Sequence, residues 1–488
     1  MEDWLISTSA KVTARQRIEN LLDDNSFVEI GAYVKARNTD FNIQAKDTPS
    51  DGVITGYGVI NGGLVYVYSQ DASVLGGSVG EMHAKKIASL YDMAMKTGSP
   101  VIGLIDSTGL RLQESVDGLN AFGQIYMKQS LASGVIPTIT AIFGNCGGGL
   151  SIVAGLSDFT FMEVENAQLF VNSPNAITEN RKEICDNASA KFQSEEAGNV
   201  DFVGTEAEVI EGIRNLVSVL PSNNEDEASD LECYDDLNRA AEGIENCGED
   251  TLLALENISD DGFIIEAKRN YAPEMVTAFI KLNGATVGAV ANRTKVYDDD
   301  MNVAAEFDAK LTAKGCNKAA EFVNFCDAFS IPVLTLTNVN GFAATMCQEK
   351  NGAKASSKLV YAFANATVPK VNLIIGDAIG SAYVTMNSKA TGADIVYAWP
   401  TAKVGMMEAK SAVEIMYADE IANGDANQVI NEKVAEYQNL QGSVMAAAAR
   451  GYVDSIVEPV DTRKYLIGAF EMLYTKFEER PGKKHGTV

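Results

Sequence analysis

From Val135 to Met162 the chain reads VIPTITAIFGNCGGGLSIVAGLSDFTFM. An apolar, β-branched run ends at Phe143, the pattern breaks at Gly144 and passes through Gly147, Gly148 and Gly149, and apolar positions resume from Leu150 to Ala154. This predicts a buried strand that feeds a tight glycine turn into a helix. Earlier in the chain, residues 1–30 read as helical, with Thr13 capping a run that carries Ile18, Leu21 and Leu22 on one face. The stretch DGVITGYGVINGGLVYVYSQD alternates and turns at Asn61-Gly62-Gly63, so Gly56, Gly58 and Gly62 are hairpin glycines rather than a dinucleotide fingerprint. Gly80 to Gly98 spaces Ile87, Leu90 and Ala94 as a helix that Gly98-Ser99-Pro100 stops, with His83 and Lys85-Lys86 on or beside its solvated face. PVIGLIDSTGLRLQES then gives a buried strand, a polar turn from Asp106 to Gly109, and a new element carrying Arg111, Gln113 and Glu114. Two successive strand-then-turn units imply a layered α/β core whose ligand lies at the strand ends.

The second half repeats this order. AFIKLNGATVGAV turns at Asn283-Gly284 and answers GVINGGLVYV; Lys318 to Ser330 is the next helix. IPVLTLTNVNGF answers PVIGLIDSTGL, and VPKVNLIIGDAIGSAYVTM answers VIPTITAIFGNCGGGLSIV. The separation of Gly109 from Gly147 is nearly kept between Gly341 and Gly380, so one chain carries two copies of one αβ unit. Between Pro221 and Asp250 the sequence is charged and poor in aliphatics, which places the boundary there. The expected domains are 1–235 and 236–488.

Charge narrows the partners. Of 488 residues, 39 are Lys or Arg and 66 are Asp or Glu, a net charge of −27. Nucleic acid and an anionic membrane face both need clustered cations, so neither is expected. The opening Met1-Glu2-Asp3-Trp4 is acidic where a signal peptide is basic, and no apolar run approaches the length of a membrane helix, which predicts a cytoplasmic protein. Seven scattered cysteines without a CxxC pair argue against disulfides and zinc, and no metal is expected. His83 and His485 are the chain's two histidines, so imidazole chemistry at Cys146 or a serine would rest on His83 alone. A glycine turn instead offers bare backbone N–H groups. Such a turn can hold a phosphate, can hold the oxyanion formed when a thioester carbonyl becomes an enolate, or can be a packing turn.

Taken in order, VTARQRIENLLDDNSFVEIG, DGVITGYGVINGGLVYVYSQD, GLRLQE, SGVIP, SDFTFM, KAAEFVNFCDAFSIPVLTL, LVYAFANATVPKV, ADIVYAWPTA, SAVEIMY, ARGYVDSIVEP and RPGKKHG resemble the carboxyltransferase subunit of biotin-dependent acyl-CoA carboxylases and decarboxylases over nearly the whole chain. The resemblance implies a duplicated crotonase-like (ClpP/crotonase) α/β fold of two ββα-superhelix domains. The N-terminal domain would serve the acyl-CoA and the C-terminal domain the biotin. It also implies transfer of a carboxyl group between carboxybiotin and the α-carbon of a short acyl-CoA, acetyl- or propionyl-CoA giving malonyl- or methylmalonyl-CoA. The biotin nitrogen takes the α-proton, so no side-chain base is required.

By position, the resemblance implies that Gly148 and Gly149 donate to the thioester enolate, and that Thr108, Gly109, Gly147 and Leu150 line the acyl-CoA pocket. Ser381 and Ala382 would donate to the biotin carbonyl, with Gly341, Phe342 and Gly380 bordering that pocket and Val384 influencing acyl-chain choice. Implied partners are a biotin carboxyl carrier protein and a biotin carboxylase, or membrane decarboxylase subunits. A homo-oligomer, a hexamer in this family, is also implied, with each site formed between the N-terminal domain of one subunit and the C-terminal domain of another. Two alternatives stand beside this reading. One is the α-subunit of a sodium-pumping acyl-CoA decarboxylase; the other is a non-catalytic paralogue, suggested by the altered Asn340–Lys354 segment. An enoyl-CoA hydratase would need paired carboxylates at both turns, and the Gly147–Gly149 turn has none before Asp158.

Overall fold

The computed structural model describes residues 12–38, 47–180, 182–226, 233–298 and 300–482. The first eleven residues of the expected 1–30 helix, Met1 to Trp4 among them, and His485 lie outside these. The chain divides into two compact units, Met1–Asp226 and Glu227–Val488. This division falls inside the acidic segment and ahead of 235/236, because Asp235 pairs with Arg463 (3.2 Å) and so travels with the second unit.

The first unit begins with α1 (Ala14–Leu21), where Thr13 and Gln16 form a reciprocal capping box. The helix ends at Leu22 rather than running to residue 30. Leu22 is extended, and β1 (Val28–Ile30) pairs antiparallel with the hairpin that follows. That hairpin is β2 (Val53–Ile60) and β3 (Gly63–Gln70), joined at Asn61 and Gly62, whose φ values of 49° and 83° suit the twist of the pair. Then come α2 (Glu81–Thr97), β4 (Val101–Ile105), α3 (Ser115–Ala132), β5 (Thr138–Ile142), β6 (Asn145–Gly147), α4 (Gly149–Gly155), β7 (Phe159–Glu163), β8 (Gln168–Phe170), α5 (Ala190–Phe192), β9 (Phe202–Gly204) and α6 (Glu206–Val217). Among the described residues these make a seven-stranded sheet in the order β1-β2-β3-β4-β5-β7-β9, parallel from β3 onward. Ile87, Leu90 and Ala94 of α2 and Phe122 and Ile125 of α3 pack on it in one core.

The second unit contains α7 (Thr251–Ile258), β10 (Ile264–Ala267), the hairpin β11 (Met275–Leu282) and β12 (Ala285–Asn292), β13 (Lys295–Tyr297), β14 (Val303–Glu306), α8 (Ala313–Ala328), β15 (Val333–Asn340), α9 (Met346–Asn365), β16 (Lys370–Ile379), α10 (Gly380–Thr385), β17 (Ile395–Ala398) and β18 (Lys403–Gly405). It closes with α11 (Ala409–Met416), α12 (Ala418–Asn423), α13 (Ala426–Tyr437), α14 (Val444–Ala448), β19 (Ser455–Ile456) and α15 (Thr462–Leu473). The helix expected over Lys318–Ser330 begins earlier, because Thr312 caps it on the Gly315 N–H. The sheet order β10-β11-β12-β15-β16-β17-β19 repeats the first unit: an antiparallel hairpin, then parallel strands reached through helices. Asn283 and Gly284 again turn the hairpin at φ 54° and 80°. Among the described residues, no helix is long and apolar enough to cross a membrane.

α2 departs from its amphipathic reading at two positions. Lys85 is exposed, but His83 and Lys86 are buried. The segment before β2 enters left-handed at Ser50 and Asp51 (φ 53° and 50°) and presents backbone oxygens inward, giving both side chains partners. The His83 ring nitrogen Nδ1 meets the Asp51 carbonyl at 3.0 Å, and the Lys86 ammonium donates to the carbonyls of Ser50 (3.0 Å) and Val53.

Candidate active site: two glycine turns

In the first unit β4 and β5 run parallel with Ile105 opposite Ile142, so the turns that leave them lie side by side. Ser107 N–H donates to the Asn145 carbonyl (3.0 Å), Ser107 Oγ donates to the Gly77 carbonyl (2.7 Å), and Gly109 N–H donates to Ser107 Oγ (3.0 Å). Gly109 is buried at φ 93°, and a Cβ there would stand 3.7 Å from the Gly147 carbonyl. Thr108 is exposed, its N–H held by the Gly76 carbonyl at 2.9 Å. Thr108, Gly109 and Gly147 therefore converge.

Gly148 is the pivot, with φ 60° and ψ −124°, and nothing lies within 4 Å of where its Cβ would be. Its N–H is not available as a donor to a ligand. The β6–β8 ladder continues one bond further, and Gly148 N–H donates to the Phe170 carbonyl at 2.9 Å. The next two residues open α4, where N–H groups of the first turn have no acceptor within the helix. Of the expected pair, the Gly148 N–H is thus committed to the protein's own ladder, while Gly149 and Leu150 lie in the first turn of α4. The Leu150 side chain is part of the core at 1 % exposure, so only its backbone can face a ligand.

The second unit repeats the geometry one residue type at a time. β15 and β16 pair with Asn340 opposite Ile379, which sets the turn at Gly341 (φ 86°) beside the pivot Gly380 (φ 70°). Ser381, exposed, and Ala382, fully buried, follow the pivot as Gly149 and Leu150 follow Gly148. Phe342 and Val384 are both partly open, at 37 % and 41 % exposure. Leu311 N–H donates to the Gly341 carbonyl and Ala343 N–H to the Leu311 carbonyl, at 3.0 and 2.9 Å, which anchors the turn after β15.

Ionisable groups near the first turn are committed elsewhere. Arg111 bridges Asp51 (2.6 Å) and Glu114 (2.8 Å), all three buried, so Glu114 is no free acid or base. Burial, with Arg111 and Lys86 nearby, lowers His83 to about 3 and keeps it neutral. Burial also pushes the Cys146 thiol far up, so it is no nucleophile. Among the described residues no group of His, Cys, Asp and Glu is arranged to hold a metal. Three hydroxyls escaped the sequence reading: Ser151 and Thr385, three residues past Gly148 and four past Ser381, and Tyr126, distant in sequence from the turn it touches.

The carboxyl transferase domain profile matches residues 7–488. The chain belongs to the carboxyl transferase domain family. It is 39% identical to methylmalonyl-CoA decarboxylase subunit alpha of Propionigenium modestum, covering 98% of this chain and 93% of that protein. It is also 39% identical to the propionyl-CoA carboxylase beta chain of Roseobacter denitrificans, over 98% and 94%. A crystal structure of transcarboxylase 12S, described as a hexamer assembly with hydrolysed methylmalonyl-coenzyme A bound, superposes with a TM-score of 0.90 at 38% identity over 97% of this chain and 92% of that one. The duplicated α/β architecture is therefore the crotonase-like fold of this family, and the chain is a carboxyltransferase.

Proposed function

We propose that this carboxyltransferase moves a carboxyl group between carboxybiotin, borne on a partner carrier protein, and the α-carbon of a short acyl-CoA such as acetyl- or propionyl-CoA. The observation that carries this reading is the doubled pivot: Gly148 and Gly380, at φ 60° and 70°, each followed by two N–H groups in the first turn of a helix. Gly149 and Leu150 donate to the enolate oxygen of the thioester, and Thr108, Gly109 and Gly147 line that pocket on the N-terminal, acyl-CoA side. Ser381 and Ala382 donate to the ureido carbonyl on the C-terminal, biotin side, with Gly341, Phe342 and Gly380 at its border and Val384 sensing the acyl chain. Neutral N–H donors beside a half-open aromatic ring suit a neutral urea. Bound carboxybiotin supplies the carboxyl group and the nitrogen that accepts the α-proton. The chain's own residues align the two reactants and stabilise two developing oxyanions. In other enzymes one such donor is worth about 3–4 kcal/mol.

Carboxyl transfer of this kind is reversible. The decarboxylase relative from Propionigenium modestum, as similar as the carboxylase relative, supports a second reading in which the chain removes the carboxyl group of methylmalonyl-CoA. On either reading a carrier and further subunits take part, and we place the chain itself in the cytoplasm. Homo-oligomerisation has a structural correlate: α3 leaves Val116, Leu119, Met127 and Leu131 exposed at helical spacing, a face suited to a second copy.

The test is loss of malonyl-CoA and methylmalonyl-CoA with purified protein and free biotin, followed by chromatography. Biotin-dependent loss that disappears in Gly148→Val supports the reading. No loss of either substrate while CoA esters still bind would overturn it in favour of a non-catalytic paralogue.

A further inference from the structure

A peptide group is a rigid plane, so a hydrogen bond that holds the carbonyl of one residue also aims the N–H of the next. At the first turn both donor-bearing peptides are held in this way. Ser151 Oγ donates to the Gly148 carbonyl at 2.7 Å, which fixes the peptide carrying the Gly149 N–H. Tyr126 Oη, from α3, donates to the Gly149 carbonyl at 2.8 Å, which fixes the peptide carrying the Leu150 N–H. Gly149 is also the residue that lets the hydroxyl in, because a Cβ there would stand 2.8 Å from Tyr126 Oη. The corresponding peptide of the second unit has the same support from another residue: Thr385 Oγ1 donates to the Ser381 carbonyl at 2.9 Å, aiming the Ala382 N–H. A threonine hydroxyl bonding back within its own helix is common. Tyr126 is different, since it comes from a separate helix and reaches a glycine pair whose backbone resists rotation least.

We propose that Tyr126 is a positioning residue for carboxyl transfer, locking and polarising the Gly149–Leu150 peptide so that the Leu150 N–H meets the enolate oxygen. The proposal rests on the reading of Gly149 and Leu150 as enolate donors. A hydrogen bond accepted by a carbonyl strengthens the same peptide's N–H as a donor. The ring of Tyr126 is held by stacking on Phe122, with centroids 5.9 Å apart and planes 28° from parallel. Burial raises the pKa of the phenol, so the hydroxyl keeps its proton and stays a donor. One turn along α3, Gln129 Nε2 donates to the Val153 carbonyl at 2.9 Å, so two side chains of α3 hold α4 in place against it.

Tyr126→Phe removes the hydroxyl and leaves the stacked ring. Three quantities are compared with wild type: kcat and KM for biotin-dependent malonyl-CoA decarboxylation, the Kd of a CoA thioether bearing a nitronate in place of the enolate, and the Kd of a plain alkyl-CoA thioether. We expect kcat to fall about tenfold, between the worth of one hydrogen bond and that of a whole oxyanion donor, with KM within about twofold. Nitronate affinity should fall by the same factor and thioether affinity should hold. Unchanged kcat and nitronate affinity would overturn the role of Tyr126. So would a lower Tm with unchanged kcat per folded enzyme. If wild type itself binds the nitronate no better than the thioether, the enolate-site reading fails and takes the proposal with it.

Discussion

The side-chain oxygen of Asn338 stands over Gly376: it accepts the Asp377 N–H at 3.1 Å, and a Cβ on Gly376 would lie 2.5 Å from it. In the first unit Asp106 Oδ1 likewise stands where a Cβ on Gly144 would be. In both copies a polar side chain near the end of one parallel strand fills the space beside a glycine of the next. Asp106 is further tied to Arg17 (3.3 Å), which also reaches Glu206 (2.9 Å) and lies over the Phe143 ring at 4.6 Å. The Asn338 clamp is carried by a neutral amide.

Gly376→Ala should therefore destabilise the second unit by about 2 kcal/mol, the usual cost of overpacking. Asn338→Ala in the same chain vacates the space, so the double variant should be less damaged than the sum of the singles. Urea unfolding of the four proteins measures the coupling. Simple additivity would show that the two residues do not press on one another.

At Gly148 the obstacle to a side chain is backbone conformation, because the Cβ position itself is open. Holding a β-branched residue at φ 60°, ψ −124° costs on the order of 1–3 kcal/mol, and the chain would relax by turning the following peptides. Gly148→Val should keep native circular dichroism while kcat drops about 10²–10³-fold, the loss of an oxyanion donor. Near-normal kcat would remove this turn from the reaction.

Ser381 contributes its backbone to the second turn, and its side chain is exposed. Ser381→Gly should leave kcat equal or higher, with the KM for free biotin little changed. A large loss would mean that the hydroxyl itself contacts the ligand and that the pocket is shaped for something other than a plain ureido carbonyl.

Val384 lies at 41 % exposure three residues beyond Ser381 on α10. We expect Val384→Asp to change the ratio of kcat/KM for propionyl-CoA over acetyl-CoA by about 10-fold or more, the scale of one methylene or a nearby charge. An unchanged ratio would take position 384 out of selectivity.

The features legible in the sequence were those set by local chemistry. Asn-Gly turns fixed both hairpins, Thr13 announced the start of α1, and the Gly148 and Gly380 pivots stood out as glycines where an apolar strand breaks. What sequence could not show depends on partners far along the chain. β1 is a strand because it pairs with β2. His83 and Lys86 turn inward because the Ser50–Asp51 backbone supplies acceptors. The Gly148 N–H is consumed by Phe170 through the β6–β8 pairing, a partner that lies 22 residues further along the chain. Tyr126 reads as one more ring in an amphipathic helix until α4 is seen to lie against it.

His83 provides the pH test. Its backbone N–H donates to Asp51 Oδ2 at 2.8 Å, its Nδ1 donates to the Asp51 carbonyl, and its Nε2 lies 3.1 Å from Gln70 Nε2, with Arg111 and Lys86 as the neighbouring cations. Burial first, then Arg111, depresses the folded pKa from 6.5 to about 3. Between these values the unfolded chain takes up a proton that the folded chain refuses. The contribution of His83 to stability is therefore complete above about pH 6.5 and is lost progressively as pH falls toward 3. With histidine ring carbons labelled, the His83 resonance, assigned by its absence in His83→Gln, should not titrate between pH 8 and 5. Urea unfolding of that variant should show a shallower loss of stability over pH 6.5 to 4 than wild type. A His83 resonance with a midpoint near 6.5 would mean that the ring is solvated and that the buried network around Asp51 and Arg111 opens in solution.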